Sequence, residues 1–148
     1  MKKIAIWFLC LSIFDVQLLN AEEKFLSLKK NKTNVRYGPG LDYPIKYIYR
    51  KINLPVKQID KKENWRRIVD LKNNSGWIHR SQLKPTNSII TLDDKILFKK
   101  PSNFSKPIAR LQKGRLLVIK KCKSNWCNIA TDKYSGWVKT ENVWGTIK

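Results

Sequence analysis

Two stretches of the chain repeat one pattern, and this repeat decides the fold. Residues 64–68 read NWRRI and residues 75–78 read SGWI, while residues 125–129 read NWCNI and residues 135–138 read SGWV. Each copy alternates polar and apolar residues around a turn, which is typical of paired β strands. Because the copies lie about 60 residues apart, the repeat predicts two small β domains in tandem rather than one larger domain.

The rest of the chain fits this division into two units. Short alternating runs separated by Gly, Pro and Asn turns predict five or so strands in each unit, and no stretch has the apolar spacing of a helix. We therefore predict an all-β protein of two small barrels, residues 25–84 and 88–146. Residues 22–32 are interpreted as a charged lead before the first predicted strand, and residues 84–87 as a tight linker.

The first 21 residues have the layout of a secretory signal peptide. Lys2 and Lys3 form a basic start, and the run Ile4 to Phe14 is apolar except for Ser12. We expect cleavage near Ala21 and a periplasmic or secreted protein. The alternative is an uncleaved anchor, although Asp15 makes the apolar run shorter than the roughly 20 residues that a span requires.

Cleavage at Ala21 would leave a strongly basic chain. The full sequence carries 31 Lys and Arg against 11 Asp and Glu, and removal of Lys2, Lys3 and Asp15 leaves 29 against 10. Such a charge attracts polyanions, which in the envelope would be anionic lipid headgroups, wall polymers or acidic proteins. The lysines are scattered, so the charge is equally compatible with compositional bias and solvated turns.

Cleavage would also remove Cys10 and leave an even number of cysteines. Cys122 and Cys127 flank the turn of a predicted hairpin, where opposed Cα atoms lie close enough for a disulfide. An exported protein favours this structural interpretation. The alternatives are a redox pair, although the spacing is four residues rather than the two of a C-x-x-C motif, or a metal site. The sequence offers only one histidine, His79, to complete such a site, so no metal and no cofactor are expected.

The first unit resembles the bacterial SH3 domain family. Three of its segments carry the family pattern: NVRYGPG at residues 34–40, NWRRI at residues 64–68 and SGWIHRSQL at residues 75–83. The second unit resembles the variant found in exported alphaproteobacterial proteins with two such domains, through CKSNWCNI at residues 122–129 and the Trp144-Gly145 end. It departs from the family at its start, where KILFKKPS at residues 95–102 lacks the Arg and the first Gly.

This resemblance implies binding rather than catalysis. Bacterial SH3 domains are small barrels of the cell envelope that often target an enzyme to peptidoglycan or to a partner protein. No enzyme is attached here, and no acid, base or nucleophile is recognisable beyond His79 and the turn pair Asp93-Asp94. We therefore expect a non-enzymatic exported adaptor whose ligand is a peptidoglycan peptide or a protein segment. Its oligomeric state cannot be inferred.

Aromatic residues of the first unit are the candidate ligand contacts. Arg36, Tyr37, Tyr43 and Trp65 would form a shallow groove if they share one face. Arg36 could instead brace its own loop through backbone carbonyls, and Trp65 and Trp126 are compatible with either core or partly exposed positions. Two further tryptophans, Trp77 and Trp137, follow glycines in the last long strand of each unit, and we assign both to the core.

Two other functions are compatible with the sequence. A basic barrel with aromatic side chains can bind nucleic acid by stacking and phosphate contacts, although an exported protein rarely meets nucleic acid. A redox protein using Cys122 and Cys127 is the other alternative, and the stability of their oxidised form would distinguish it.

Overall fold

A computed structural model describes residues 23–145, so the predicted signal peptide and Cys10 lie outside the described residues. The first domain contains seven short strands and one turn of 3-10 helix, Arg80–Gln82. Its strands are β1 Phe25–Leu28, β2 Thr33–Arg36, β3 Ile45–Tyr49, β4 Pro55–Lys62, β5 Trp65–Val69, β6 Ser75–His79 and β7 Leu83–Pro85.

The second domain repeats the same seven strands. They are β8 Ser88–Thr91, β9 Lys95–Phe98, β10 Pro107–Leu111, β11 Leu116–Lys123, β12 Trp126–Ala130, β13 Ser135–Lys139 and β14 Val143–Trp144. The all-β prediction and the prediction of two tandem domains are confirmed. Within residues 23–145, no helix is long and apolar enough to cross a membrane.

The two sheets have the same antiparallel topology. Their strand orders are β3-β2-β6-β5-β4-β1-β7 and β10-β9-β13-β12-β11-β8-β14. Equivalent irregularities occur at equivalent places, since β4 shifts register against β5 between Gln58 and Asp60 and β11 shifts against β12 between Ile119 and Lys121. The register therefore allows the residues of one domain to be matched to those of the other.

Each domain has its own core, formed by alternate residues along the strands. The inner residues are aliphatic and fully or almost fully buried, as expected for a sheet with one face turned inward. In the first domain they are Leu28, Val35, Val56, Ile68, Ile78 and Leu83. In the second they are Ile89, Leu97, Leu111, Leu117, Ile129 and Val138.

The assignment of Trp77 and Trp137 to the core was wrong. Both are only partly buried, while the following residues, Ile78 and Val138, are fully buried. The preceding glycine explains this, because a Cβ on Gly76 would come within 2.4 Å of Val35 Cγ1. The inner positions of this strand are therefore the glycine and the aliphatic residue, and alternation turns each tryptophan to the outer face.

The charged lead also contains an element that the sequence interpretation missed. Phe25–Leu28 is strand β1, which pairs with β4 and β7, and Leu28 is fully buried in the core. Its four residues stand between Lys24 and Lys29, so the apolar signal is too short to outweigh the surrounding charge. The equivalent strand of the second domain, β8, was predicted because two isoleucines mark it.

The two domains are docked against each other through β1 and β8. Ser27 and Ser88 lie on the outer faces of these strands, are 0% and 1% exposed, and share a hydrogen bond of 2.9 Å between their Oγ atoms. Ser88 Oγ also donates to Asn53 O. Because β8 is covered by its own core on one face and by the first domain on the other, all four of its residues are buried.

Trp144 extends this interface from the last strand. Its Nε1 donates to Pro55 O at 3.0 Å, and its ring meets that of Phe25 edge to face with centroids 5.1 Å apart. The linker supports the same contact, since Thr86 Oγ1 accepts from Ser27 Oγ at 3.3 Å. The short linker and the terminal tryptophan therefore hold the two barrels in one arrangement.

Candidate functional site

The loop after β2 is braced by Arg36. Its Nη1 donates to Tyr43 O at 2.7 Å and to Leu41 O at 3.2 Å. Because the guanidinium bonds two backbone carbonyls, it fixes the loop and leaves the loop's side chains out of these hydrogen bonds. We call residues 37–44 the aromatic loop, and the bracing geometry is one of the two roles that the sequence allowed for Arg36.

The aromatic loop presents apolar side chains to solvent. Tyr37 is 62% exposed, Leu41 77% and Tyr43 44%. Tyr43 lies against Gly38, where an added Cβ would come within 2.3 Å of the ring, so the glycine of the NVRYGPG segment makes room for the tyrosine. Lys46 Nζ lies 5.6 Å from the centroid of the Tyr37 ring, within the range of a cation–π contact.

Trp65 differs from the other three candidates in its burial. It is only 9% exposed and packs edge to face on His79 at 5.3 Å. The register pairs Arg36 with Trp77 and Trp65 with His79, which places them in neighbouring rows of the outer face. The structure thus gathers Arg36, Tyr37 and Tyr43 at the loop and leaves Trp65 covered.

The second domain exposes a different aromatic residue at the equivalent loop. Phe98 occupies the register position of Arg36, and the loop over residues 99–106 is held by serine hydroxyls instead. Ser105 Oγ accepts from Lys100 N at 2.8 Å, and Ser102 Oγ accepts from Phe104 N at 3.2 Å. Phe104 is fully exposed. Phe104 was not among the ligand contacts predicted from the sequence, although a lone Phe between turn residues indicates an exposed position.

A tyrosine cluster fills the side of the first domain. Tyr49 donates its hydroxyl hydrogen to Asp70 Oδ2 at 2.9 Å, and the Tyr47 and Tyr49 rings meet edge to face at 5.2 Å. Asp70 Oδ1 accepts from the backbone N–H groups of Lys72 and Asn74. Burial is the main cause that raises the pKa of both Tyr47 and Tyr49 above the ordinary value of 10.0.

This cluster predicts a stability loss at alkaline pH. The unfolded chain releases the Tyr49 proton near pH 10, before the folded chain does, so the stabilisation is complete below about pH 10 and is lost as the pH rises above it. In Tyr49→Phe we expect a shallower alkaline loss, measured by urea unfolding from neutral pH to about pH 11. Tyr134→Phe, at an exposed ring, is the control. Equal slopes in both variants would contradict the prediction.

The second domain is open where the first is filled by tyrosines. The register matches Tyr47 to Ala109 and Tyr49 to Leu111. These smaller residues line a cleft of about 630 Å³, together with Arg115, Thr131 and Tyr134. The two domains therefore present different surfaces at equivalent places.

The polar residues that the sequence singled out for possible catalysis have structural partners. His79 Nδ1 accepts from Ser81 N at 3.3 Å, which caps the 3-10 turn. A hydrogen bond from Lys95 holds the pKa of Asp93 below its usual range, and one from the backbone of Lys113 does the same for Asp94. In the described part of the chain, no group of three or more His, Cys, Asp or Glu could hold a metal ion.

Cys122 and Cys127 are directly opposed across the β11–β12 hairpin and form a disulfide, with Cα atoms 4.1 Å apart. The predicted pairing is therefore confirmed. Cys127 is fully buried beside the core, while Cys122 is exposed. The bond closes a short loop at the tip of the hairpin.

Reduction of this disulfide should destabilise the protein through its second domain. Closing a loop of this length contributes about 2 kcal/mol through the entropy of the unfolded chain. We expect the midpoint of the single urea transition to fall in the presence of a reductant, as measured by tryptophan fluorescence. A Cys122→Ser/Cys127→Ser variant should reproduce the loss and should not respond to the reductant. No shift on reduction would contradict a stabilising role.

The seven-stranded antiparallel sheets and their paired cores define a tandem of small β domains of the SH3 type. The family model described as "Bacterial SH3 domain" matches the chain twice, over residues 29–85 and 94–145. The protein therefore belongs to the bacterial SH3 domain family, as the sequence predicted. Domains of this family commonly bind cell-wall components.

Two solved structures share a limited likeness with the chain. NlpC2 from Trichomonas vaginalis is 12% identical with a TM-score of 0.38, and the match covers 84% of this chain and 48% of that one. NlpC1 from the same organism gives 12% and 0.38, covering 82% and 45%. The chain thus spans about half the length of each, and the low scores carry no functional argument. No curated protein matches the chain.

Proposed function

We propose that this protein is an exported, non-enzymatic adaptor that binds a component of the cell envelope, either a peptidoglycan peptide or a protein segment. Family membership supports an envelope role, and a disulfide is typical of proteins outside the cytoplasm. The observation that carries the proposal is the pair of braced loops, each presenting exposed aromatic side chains.

These loops have the properties of a preorganised binding surface. Arg36 holds the backbone of the aromatic loop at Tyr43, and Gly38 leaves room for the Tyr43 ring. In the second domain, serine hydroxyls hold the backbone of the loop that carries Phe104. A loop whose backbone is already held loses little conformational entropy on binding, and aromatic side chains have few rotatable bonds to fix. Exposed apolar contacts of this kind commonly supply the energetic centre of an interface.

The proposal is tested by sedimentation with purified peptidoglycan at physiological salt. Truncating the exposed rings in a Tyr37→Ser/Phe104→Ser variant should weaken binding by roughly fivefold or more. Leu71→Ser, at a 40% exposed apolar residue in another turn, is the matched control and should bind normally. Equal binding by both variants would exclude the loops, and an absence of binding would leave a protein segment of the envelope as the ligand to be sought by crosslinking.

A second candidate function is attraction to polyanions. The net charge is +20, and only four ion pairs join the described residues, so most cations of residues 23–145 have no carboxylate partner. Binding driven by charge alone would fall steeply as salt rises and would be equal for anionic vesicles and single-stranded DNA. Salt-resistant binding that depends on Tyr37 and Phe104 would favour the adaptor function instead.

A further inference from the structure

A second concave surface lies in the first domain, away from the aromatic loop. It is a cleft of about 610 Å³ between the start of β1, the 3-10 turn, β7 and the β4–β5 hairpin. Its apolar lining comes from Phe25, Leu26, Leu83 and Pro85. This volume is within the range of sites that hold small ligands or single peptide side chains.

Four of the seven polar residues that line this cleft are cationic. They are Lys24, Arg66, Arg80 and Lys84, and none of the four forms an ion pair with a described carboxylate. Two of them donate hydrogen bonds within the protein, since Arg66 Nη1 bonds Glu63 O and Trp65 O and Lys84 Nζ bonds Asn53 Oδ1. The one acidic lining residue, Glu23, is paired with Lys57. The cleft therefore combines an apolar surface with an excess of positive charge, which favours an anionic ligand.

One buried acceptor in the cleft has no donor. Gln58 lies at the register shift of β4, and its Oε1 is buried without a hydrogen-bond partner within the described residues. A buried polar atom that stays unpaired costs free energy, which a ligand N–H can recover. The ligand should therefore supply a hydrogen-bond donor as well as negative charge.

The second domain differs from the first at the equivalent end of its hairpin. The hairpin register matches Lys61 to Cys122 and Arg66 to Cys127. The disulfide therefore occupies the places of Lys61 and of Arg66, the second of which lines the cleft. Cys127 is fully buried there. The first domain therefore carries the guanidinium of Arg66 where the second carries a buried sulfur.

We propose that this cleft binds an acidic peptide segment. Its carboxylates would bond to Arg80 and to the N–H groups of Arg66 that the contacts with Glu63 O and Trp65 O leave free. A backbone N–H would donate to Gln58 Oε1 once that side chain turns into the cleft, and an apolar side chain would pack on Leu26 and Leu83. Guanidinium groups suit carboxylates because their fork of N–H donors matches two oxygens. A peptide places a carboxylate, an N–H and an apolar group within one or two residues, whereas a phosphodiester offers no N–H. The proposal goes beyond envelope binding by the aromatic loops and does not depend on it.

The test uses fluorescein-labelled hexapeptides in which leucine alternates with glutamate or, in the matched peptide, with glutamine. Anisotropy at physiological salt should show the glutamate peptide binding about tenfold tighter than the glutamine peptide. Arg80→Gln should weaken the glutamate peptide by about fivefold or more, because it removes one charge-assisted contact. Arg50→Gln, an equal charge change at an exposed position outside the cleft, should leave binding unchanged.

A second variant keeps the result interpretable if charge changes alone prove weak. Lys61→Cys/Arg66→Cys installs the disulfide of the second domain at the equivalent place, and it should abolish the preference for the glutamate peptide while retaining the folded far-ultraviolet spectrum. Equal binding of the two peptides, equal weakening by Arg50→Gln, or no detectable binding would overturn the proposal. Anionic vesicles or polyphosphate that bind with the same dependence on Arg80 would assign the cleft to phosphate instead.

Discussion

Ile78→Ala is expected to lower the free energy of unfolding by about 3 kcal/mol. Ile78 is fully buried and packs with Leu28, Val35, Val56 and Ile68 in the first core. Its truncation removes buried methyl groups and leaves a cavity that neighbouring strands cannot fill. Urea unfolding followed by tryptophan fluorescence measures the loss.

The size of this effect is judged against the small domain that contains it. A domain of about 60 residues is only marginally stable, so a loss of about 3 kcal/mol takes a large part of its stability. Ile48→Ala is the matched control, because Ile48 is 36% exposed on strand β3, and it should cost no more than about 0.5 kcal/mol. Comparable losses in the two variants would contradict the core described for the first domain.

Trp144→Ala should undock the two domains and cost about 2 kcal/mol. The substitution removes the hydrogen bond to Pro55 O and the edge-to-face contact with Phe25. A hydrogen bond contributes about 1 kcal/mol and an aromatic pair about as much again. Because these contacts join separate cores, we expect a single urea transition to divide into two, one for each barrel.

The control for this variant is Trp137→Ala. Trp137 is partly buried on the outer face of β13, where Lys121 Nζ lies 5.7 Å from its ring, and it makes no described contact with the first domain. Its truncation should cost about 1 kcal/mol and leave the number of transitions unchanged. Small-angle scattering should show a larger radius of gyration for Trp144→Ala alone. A compact Trp144→Ala variant with one transition would show that the serine contacts suffice for docking.

The repeat made the fold predictable, because turn residues and alternation recur at the same spacing in both halves. Strand β1 was missed since its four residues are flanked by lysines, and nothing local indicates that two neighbouring strands complete it. The faces of the tryptophans were misjudged for a similar reason. Alternation shows that neighbouring residues of a strand face opposite sides of the sheet, but it does not show which set faces the core. In β6 this is decided by the contact of Gly76 with Val35, which is distant in sequence.

The candidate site was predictable in part. The NVRYGPG segment pointed to the aromatic loop. Arg36 braces this loop through backbone carbonyls, which was one of the two roles that the sequence allowed for it. Trp65 could not be assigned from sequence, because its exposure depends on His79 in the partner strand. The cleft with Arg66 and Gln58 was also out of reach, since its lining comes from four separate elements.

The contact between Phe25 and Trp144 brings the first and last described strands together. Their ring centroids are 5.1 Å apart, although the residues are separated by most of the chain. Anything tethered to the chain next to these two strands would emerge at the same corner of the molecule. A mechanical load applied between two such tethers would act across the interface of the two domains, where this contact and the hydrogen bond from Trp144 Nε1 to Pro55 O lie. The contacts of Trp144 would therefore resist the separation of the two domains under tension.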